Sequence, residues 1–274
     1  MPRRLWLSAS VVSLLLATTA YAQFGVRGNF YRVPPRLPQL ETFDGRFNFC
    51  RLMYRSWYRE AGGQGWSTDY PDADINFSIR LSELTKAPVS FDREGEPRFV
   101  VIPIMDPALF RCPWVIVEDG GTASFSDDEA RQLRNYLLKG GFLWTDDFWG
   151  TRAWDNWQQQ IAKILPPAQF PIADLPRDHM IYRALFEVQK IPQIPSIQFW
   201  RQSGGLRSER GSDSDTVHFR GIVDDHGRLL VLMTHNTDIA DGWEREGEDA
   251  NFFYSFSPDS YALAINIMMY AMSH

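Results

Sequence analysis

Acidic and amide side chains gather in three short segments of the sequence. The first, 68–74, leads into a predicted helix, whereas the second, 145–150, and the third, 235–244, each follow a predicted buried strand. Ligands of open α/β sheets bind in the crevice beyond the carboxyl ends of the strands. We therefore expect the second and third segments to share one rim of the sheet, and the first to join them through its loop. The candidate ligand-binding residues are Asp69, Tyr70, Asp74, Asp146, Asp147, Trp149, Asn236, Asp238, Asp241 and Trp243.

These residue types could support either catalysis or binding. Two carboxyl groups in a partly dry cleft can have their pKa values pushed apart, which provides an acid and a base for hydrolysis. The candidate catalytic residues are Asp146, Asp147, His235 and Glu244. Alternatively, carboxylates and amides could bind sugar hydroxyls while Trp149 or Trp243 offers a ring face for stacking.

Each segment also has a purely structural explanation. Asp and Pro are common in turns, so residues 69–74 could supply only a turn and a helix cap. Residues 238–244 could be a solvated loop, and the tryptophans could pack in the core. Because adjacent residues point in different directions, one of Asp146 and Asp147 could cap the next helix while the other faces the cleft. We favour a functional role for at least one of this pair.

The sequence gives little support for a metal or for a familiar catalytic motif. Asp and Asn oxygens could hold a hard cation such as Ca²⁺, but residues 236–244 lack the spacing of an EF-hand loop. Neither cysteine has the CxxC spacing or the histidine neighbour of a zinc site. The sequence contains no GxSxG, HExxH or Walker motif. We therefore expect no resident metal and no cofactor.

The beginning of the sequence has the features of a secretory signal peptide. A short basic start is followed by a mostly apolar stretch, which ends in the cleavage pattern Ala20-Tyr21-Ala22. The stretch is short for a membrane anchor. We expect cleavage after Ala22, general secretion rather than twin-arginine export, and a periplasmic or secreted mature protein. Residues 23–46 then form an extended lead-in, and residues 47–274 form a single domain.

Net charge, hydropathy and cysteine content limit the possible partners of the protein and the possible states of its thiols. The net charge of -6 at pH 7, with no basic cluster, argues against a nucleic-acid partner. No stretch after the signal peptide is apolar enough to span a membrane. Export would permit a disulfide between Cys50 and Cys112. Both nevertheless lie in or beside predicted core strands, where buried free thiols are common, so we favour free thiols.

Strands and helices alternate along the predicted domain. We predict strands at 47–54, 99–104, 114–117, 141–145, 194–199, 217–223 and 229–234. We predict helices at 74–84, 126–139, 151–165 and 258–272. Asp72 or Asp74 could cap the first helix, and Ser126 with Glu129 forms a capping box at the second. The alternation predicts an α/β fold with a mostly parallel sheet, helices on both faces and a late antiparallel hairpin at one edge.

Several motifs carry a resemblance to a known family. They are RLxY at 51–54, TDYPxADxN at 68–76, GGFLxxDDFWG at 140–150, GRL at 227–229, NxD at 236–238 and WE at 243–244. Together, over residues 47–273, they resemble the bacterial family known as domain of unknown function 4159. That family is similar in fold to class I glutamine amidotransferases, so the resemblance implies a flavodoxin-like sheet and leaves the activity open.

The amidotransferase relation implies a cysteine nucleophile at a tight strand-to-helix turn. The corresponding turn, about 145–148, holds no cysteine, so we do not expect glutaminase chemistry. Our first hypothesis is an exported amidotransferase-like domain that binds a polar ligand, such as a carbohydrate, or an envelope protein. The alternatives are a hydrolase that uses the rim carboxylates and a scaffold with no small-molecule site. The sequence does not specify the oligomeric state.

Overall fold

The computed structural model describes residues 33–39 and 41–274. Contacts divide the chain into two units, Met1–Pro34 and Pro35–His274. Of the first unit, only Val33 and Pro34 are described, and both are exposed. The predicted signal peptide and residues 23–32 of the predicted lead-in lie outside the described residues. In the second unit, the Arg36 carbonyl accepts a hydrogen bond from the Val101 amide.

The described residues of the second unit contain a seven-stranded sheet and a separate two-stranded sheet. The strands of the large sheet are β1 (Phe49–Met53), β3 (Phe99–Pro103), β4 (Trp114–Val117), β6 (Phe142–Phe148), β7 (Ala173–Asp174), β8 (His218–Val223) and β9 (Leu229–His235). The small antiparallel sheet pairs β2 (Arg55–Ser56) with β5 (Ala123–Ser124).

The order of the large sheet is β3-β1-β4-β6-β9-β8-β7. All pairings from β3 through β9 are parallel, whereas β8 pairs antiparallel with both β9 and β7. The mostly parallel sheet and the late antiparallel hairpin at its edge are therefore confirmed. Because the central strands are parallel, their carboxyl ends meet along one rim, and this rim carries the second and third polar segments.

Six α-helices accompany the sheet in the part of the chain that the structure describes. They are α1 (Asp72–Leu84), α2 (Asp127–Leu138), α3 (Gly150–Ile164), α4 (Ile197–Ser203), α5 (Asp241–Glu244) and α6 (Ala250–Ser273). The predicted capping box is confirmed, since Ser126 accepts from the Glu129 amide while the Glu129 carboxylate accepts from the Ser126 amide. Among the described residues, no helix is long and apolar enough to cross a membrane.

Both faces of the sheet are covered by apolar cores. Successive side chains of a strand point to opposite faces. In β4, Trp114 and Ile116 therefore join one core with residues of α1 and α6, whereas Val115 and Val117 join the other with residues of α2 and α3. This two-sided burial explains why β4 is a continuous apolar run.

Three predicted features of secondary structure are wrong. The run predicted as a strand at 194–199 leads into helix α4, which Ser196 caps by accepting from the Phe199 amide. A short apolar run does not distinguish a strand from a buried helix, and here the cap decides. Helix α6 begins at Ala250, eight residues before its predicted start, because Asp249 caps it and Pro258 lies inside it. No side chain caps α1, because the Asp74 carboxylate is bound by Arg51 instead.

Cys50 and Cys112 form a disulfide, so the expectation of free thiols is wrong. Their Cα atoms lie 6.2 Å apart, and the bridge joins β1 to the residue that precedes Pro113 and β4. Both cysteines are buried. Burial is equally compatible with a free thiol and with a bridge, which is why position in the sequence did not distinguish the two.

Candidate functional site

A cavity of about 200 Å³ lies at the carboxyl ends of β4, β6 and β9. Eight carboxylic acids and two arginines, Arg210 and Arg245, contribute to its lining. We call it the acidic cavity. Its acids are Glu60, Asp69, Asp119, Asp147, Glu209, Asp238, Asp241 and Glu244.

The structure divides the sequence-predicted candidates into two groups. Asp69, Asp147, Trp149, Asp238, Asp241 and Glu244 line the acidic cavity. Tyr70, Asp74, Asp146, His235, Asn236 and Trp243 do not contribute to its lining. The three polar segments therefore do meet at one rim, but only part of each segment faces the cavity.

Asp146 and Asp147 have different environments although they are neighbours in β6. Asp146 is fully buried, and its carboxylate accepts from the Thr234 hydroxyl at 2.5 Å and from the amides of Ile239 at 2.7 Å and Ala240 at 3.1 Å. These bonds fold the loop after β9 over the strand ends. Burial raises the pKa of Asp146 to about 7 despite these bonds. Asp147 instead lines the cavity. Asp146, whose carboxylate is bound by backbone amides, holds the loop after β9 and does not cap α3.

Three other candidates are buried residues that do not line the cavity. His235 donates from Nε2 to the Gly150 carbonyl at 3.2 Å, and burial lowers its pKa to about 4. Asn236 accepts from the Gly150 amide at 2.8 Å and donates to the Thr216 carbonyl at 2.7 Å. Trp243 is fully buried in the apolar core. His235 and Asn236 therefore hold the turn between β6 and α3, whereas Trp243 contributes only to the apolar core.

The first segment is positioned by Arg51 of β1. Its guanidinium binds the Asp74 carboxylate and donates to the carbonyl oxygens of Thr68 at 2.7 Å and Trp66 at 3.2 Å. Asp69 follows directly and enters the cavity. Tyr70 packs its ring against Trp66, and its hydroxyl accepts from the Arg36 amide at 3.1 Å.

Asp119 lines the cavity and was missed by the sequence reasoning. This residue is 1% exposed, its Oδ2 accepts from the Gly65 amide at 2.8 Å, and its Oδ1 is buried with no hydrogen-bond partner in the part of the chain that the structure describes. Gly63 lies so close that a Cβ atom there would stand 2.4 Å from Asp119 Oδ2. Burial raises the pKa of Asp119 to about 7. The sequence did contain a pattern that indicates Asp119, because residues 118–119 follow strand β4 just as other polar segments follow β6 and β9.

Glu118, the neighbour of Asp119, is a second buried acid outside the predictions. It is fully buried, and neither carboxylate oxygen has a hydrogen-bond partner among the described residues. Its nearest cation is Arg51, with Nη2 at 3.9 Å from Oε1. Burial raises the pKa of Glu118 well above its ordinary value. Arg51 thus faces two carboxylates, and of these two it forms hydrogen bonds only with that of Asp74.

The backbone around the cavity is unusual. Within the described residues, the non-glycine residues with positive φ are Asp69 (61°), Asp119 (50°), Asp147 (49°) and Asn236 (65°). Three of them line the acidic cavity, and Asn236 lies at the same rim. The left-handed region costs an L-residue about 1–2 kcal/mol, although Asp and Asn tolerate it best. Such conformations concentrate at binding and catalytic sites.

The charges of the cavity are poorly balanced. Arg210 pairs with Glu60 and Glu209, and Arg245 pairs with Glu244. The remaining lining acids, Asp69, Asp119, Asp147, Asp238 and Asp241, form no ion pair with any described residue. Burial first, and neighbouring carboxylates second, raise the pKa of Asp69, Asp147, Asp238 and Asp241 well above the ordinary value.

Three of these acids could hold a cation. Asp69, Asp241 and Glu244 each offer a carboxylate oxygen, and the three oxygens lie within 4.8 Å of one another. Asp241 is fixed by two backbone contacts: its Oδ2 accepts from the Ile197 amide at 2.9 Å, and its own amide donates to Asp238 Oδ1 at 2.8 Å. These three side chains therefore form a group with suitable geometry for a cation, which the sequence did not predict.

Comparison with known proteins agrees with the motifs of the three polar segments. The model of a family described as Domain of unknown function (DUF4159) matches residues 48–272, which includes every residue that lines the acidic cavity. No curated protein matched the sequence. Since the family match spans most of the chain, the protein belongs to the family Domain of unknown function (DUF4159).

Proposed function

We propose that this chain is an exported protein that binds a small polar ligand, rich in hydrogen-bond donors, in the acidic cavity. The observation that carries this proposal is the presence, in the lining of one cavity, of buried acceptors that receive no hydrogen bond from any described residue, Asp69 Oδ2 and Asp119 Oδ1. A buried polar group left without a partner costs about 1–3 kcal/mol. A ligand that brings O–H or N–H groups to these oxygens would recover that free energy.

Size and charge narrow the ligand class. A volume of about 200 Å³ is below the roughly 300–1,000 Å³ of pockets for drug-sized molecules, so a single sugar ring, an amino acid or a small amine fits better. The excess of carboxylates favours a positive charge or many hydroxyls. Trp149 lines the cavity but is only 2% exposed, so it has little ring face for stacking. Hydrogen bonds to carboxylates would therefore dominate recognition.

The proposed location outside the cytoplasm has two supports. The first is the basic and apolar beginning of the sequence with its cleavage pattern at Ala22. The second is the disulfide between Cys50 and Cys112, since such bridges persist mainly in oxidising compartments. Fractionation of the native host cell, with detection of the shortened mature chain, tests this part of the proposal.

Hydrolysis is a second candidate, favoured by Asp119. A carboxyl group whose pKa is raised to about 7 can act as either a general acid or a general base near neutral pH. Asp147 lines the same cavity and could act as its partner. Asp146 and His235 are less suited, because both are engaged by groups outside the cavity lining. On this alternative, catalysis would depend on Asp119 and Asp147.

A thermal-shift screen of the mature protein tests the binding proposal. The panel contains sugars, cell-wall fragments, amino acids and small amines, and it is run both with a chelator and with Ca²⁺ and Mg²⁺ present. A ligand at one hundred times its dissociation constant should add about 2.7 kcal/mol of stability. Asp147→Asn and Asp238→Asn should each abolish the shift, because each removes a negative charge from the cavity. Each variant keeps the oxygen that accepts a hydrogen bond, from Trp149 in the first and from the Asp241 amide in the second.

Asp155→Asn is the matched control, since Asp155 is an exposed residue of α3 that does not line the cavity. The control should keep the full shift. A panel with no shift in either buffer would overturn the small-molecule proposal and favour a protein partner. Any hit is then incubated with the protein and followed by mass spectrometry. Turnover that is lost in Asp119→Asn would decide for the hydrolase.

A further inference from the structure

Two separate parts of the chain bring three carboxylates to one wall of the acidic cavity. Asp69 lies in the loop before α1, whereas Asp241 and Glu244 lie three residues apart on the short helix α5. Residues with this spacing share one face of a helix. One oxygen from each side chain lies within 4.8 Å of the other two. Like charges at this separation repel unless a proton or a cation lies between them.

The surrounding oxygens independently indicate a missing positive partner. Asp119 is 1% exposed and lines the same cavity, and its Oδ1 has no hydrogen-bond partner. Asp69 Oδ2 is likewise buried without a donor. Both arginines of the lining are engaged by other acids, Arg245 by Glu244 and Glu248 and Arg210 by Glu60 and Glu209. Among the described residues, neither Asp69 nor Asp119 therefore has an ion-pair partner.

The donor set specifies the type of cation. The cavity lining contains carboxylates, side-chain amides and hydroxyls but neither histidine nor cysteine. Oxygen-only sets suit Ca²⁺ and Mg²⁺, whereas zinc and copper prefer nitrogen or sulfur. Ca²⁺ binds oxygens at about 2.3–2.6 Å, so two oxygens on one ion lie at most about 5 Å apart. The separation of up to 4.8 Å meets this limit, whereas Mg²⁺ binds oxygens at about 2.0–2.1 Å and would need them within about 4.2 Å.

We propose that Asp69, Asp241 and Glu244 bind a hard divalent cation, Ca²⁺, in the wall of the acidic cavity. The cation neutralises part of the excess negative charge, and it leaves Asp119, Asp147 and Asp238 available to a second ligand. This inference uses the cavity of the proposed function but does not depend on it, because the cation binds without any organic ligand.

Isothermal titration of the chelator-treated protein with Ca²⁺, Mg²⁺, Mn²⁺ and Zn²⁺, each alone, tests the proposal. Ca²⁺ should bind with a stoichiometry of one and more tightly than Mg²⁺ or Zn²⁺. Asp69→Asn and Asp241→Asn should each raise the dissociation constant at least tenfold. The asparagine at 241 keeps an oxygen for the Ile197 amide, so the fold is retained. Asp155→Asn should bind as the parent does.

A second measurement does not depend on substitutions of the acids. Trp149 lines the same cavity, so Tb³⁺ bound there should show indole-sensitised emission that Ca²⁺ displaces and that Trp149→Phe reduces. Absence of divalent binding, or binding that Asp69→Asn and Asp241→Asn leave unchanged, would overturn the proposal. If cations fail to bind while an organic ligand still shifts the melting temperature, only the cation site is lost. If a cation binds while no organic ligand shifts the melting temperature, the proposal of an organic ligand is lost and the cation site is kept.

Discussion

Arg51 and Asp74 form an ion pair in which both side chains are fully buried. Arg51 Nε lies 3.0 Å and 3.2 Å from the two carboxylate oxygens, and Nη2 lies 2.5 Å from Oδ1. The same guanidinium binds the Thr68 carbonyl through Nη1. One side chain of β1 thereby fixes both the start of α1 and the loop that carries Asp69 into the acidic cavity.

Replacing Arg51 with methionine should lower the free energy of unfolding by about 3–5 kcal/mol. The substitution leaves Asp74, and with it Glu118, buried without a cation, and this cost exceeds the net value of the ion pair itself. Urea unfolding measures the loss. Arg36→Met is the control, because the pair of Arg36 with Glu96 is exposed and should contribute less than about 1 kcal/mol. Equal losses in the two variants would contradict the assigned role.

Loss of the disulfide should also destabilise the protein strongly. The bridge closes a loop with a sequence separation of 62 residues, and the chain-entropy model gives about 4 kcal/mol for a loop of this length. The melting temperature of the parent should therefore fall in reducing agent. A Cys50→Ala, Cys112→Ala double variant should melt at the lower temperature whether or not reductant is present. A parent that is insensitive to reductant would show that the bridge contributes little.

Local patterns sufficed to predict much of the fold. Ser126 and Glu129 stand three residues apart and define the start of α2, and the apolar run of β4 marks a strand buried on both faces. The convergence of the second and third polar segments followed from the rule that parallel strands end at one rim. Each of these features depends on neighbours in sequence or on the topology of the sheet.

The contacts that sequence reasoning missed join residues far apart. Arg51 meets Asp74 across 23 positions, and Asp146 receives the Ile239 amide across 93. No local pattern shows whether Asp74 caps α1 or pairs with a buried arginine. Asp119 is different, because its place after β4 fits the strand-end rule. The segments after β6 and β9 contain more polar residues and were therefore the stronger candidates.

Replacing Asn236 with aspartate should destabilise the rim. The aspartate keeps an acceptor for the Gly150 amide but places an oxygen where Asn236 Nδ2 now donates to the Thr216 carbonyl at 2.7 Å. A buried acceptor facing another acceptor should cost about 1–3 kcal/mol in the free energy of unfolding. Asn251→Asp is the matched control, since Asn251 is exposed in the first turn of α6, where a negative charge is favourable. A rim variant as stable as this control would contradict the role of Asn236.

Two buried carboxyl groups set the sign of the pH dependence. Burial raises the pKa of Asp119 and of Asp146 from 3.8 to about 7, so the folded protein retains their protons where the unfolded chain has lost them. Their contribution to stability is therefore fully present below pH 3.8 and is lost as the pH rises from there through about 7. Only the last part of this loss falls between pH 6.5 and 8.5, where linkage gives roughly 1 kcal/mol for each carboxyl group. His235, with its pKa lowered from 6.5 to about 4, acts in the opposite direction. Its opposing contribution in this range is smaller, because the unfolded chain has already lost about half of this proton at pH 6.5.

The chelator-treated protein should accordingly become less stable from pH 6.5 to pH 8.5, as measured by urea unfolding at several pH values. Asp119→Asn should reduce the decrease by roughly 1 kcal/mol, since the amide keeps an acceptor for the Gly65 amide and cannot ionise. Asp155→Asn, at an exposed position of α3, should leave the decrease unchanged. If Asp119→Asn and the parent lose the same stability over this range, Asp119 is already ionised below pH 6.5. Its carboxylate would then need a positive partner within the cavity even at mildly acidic pH.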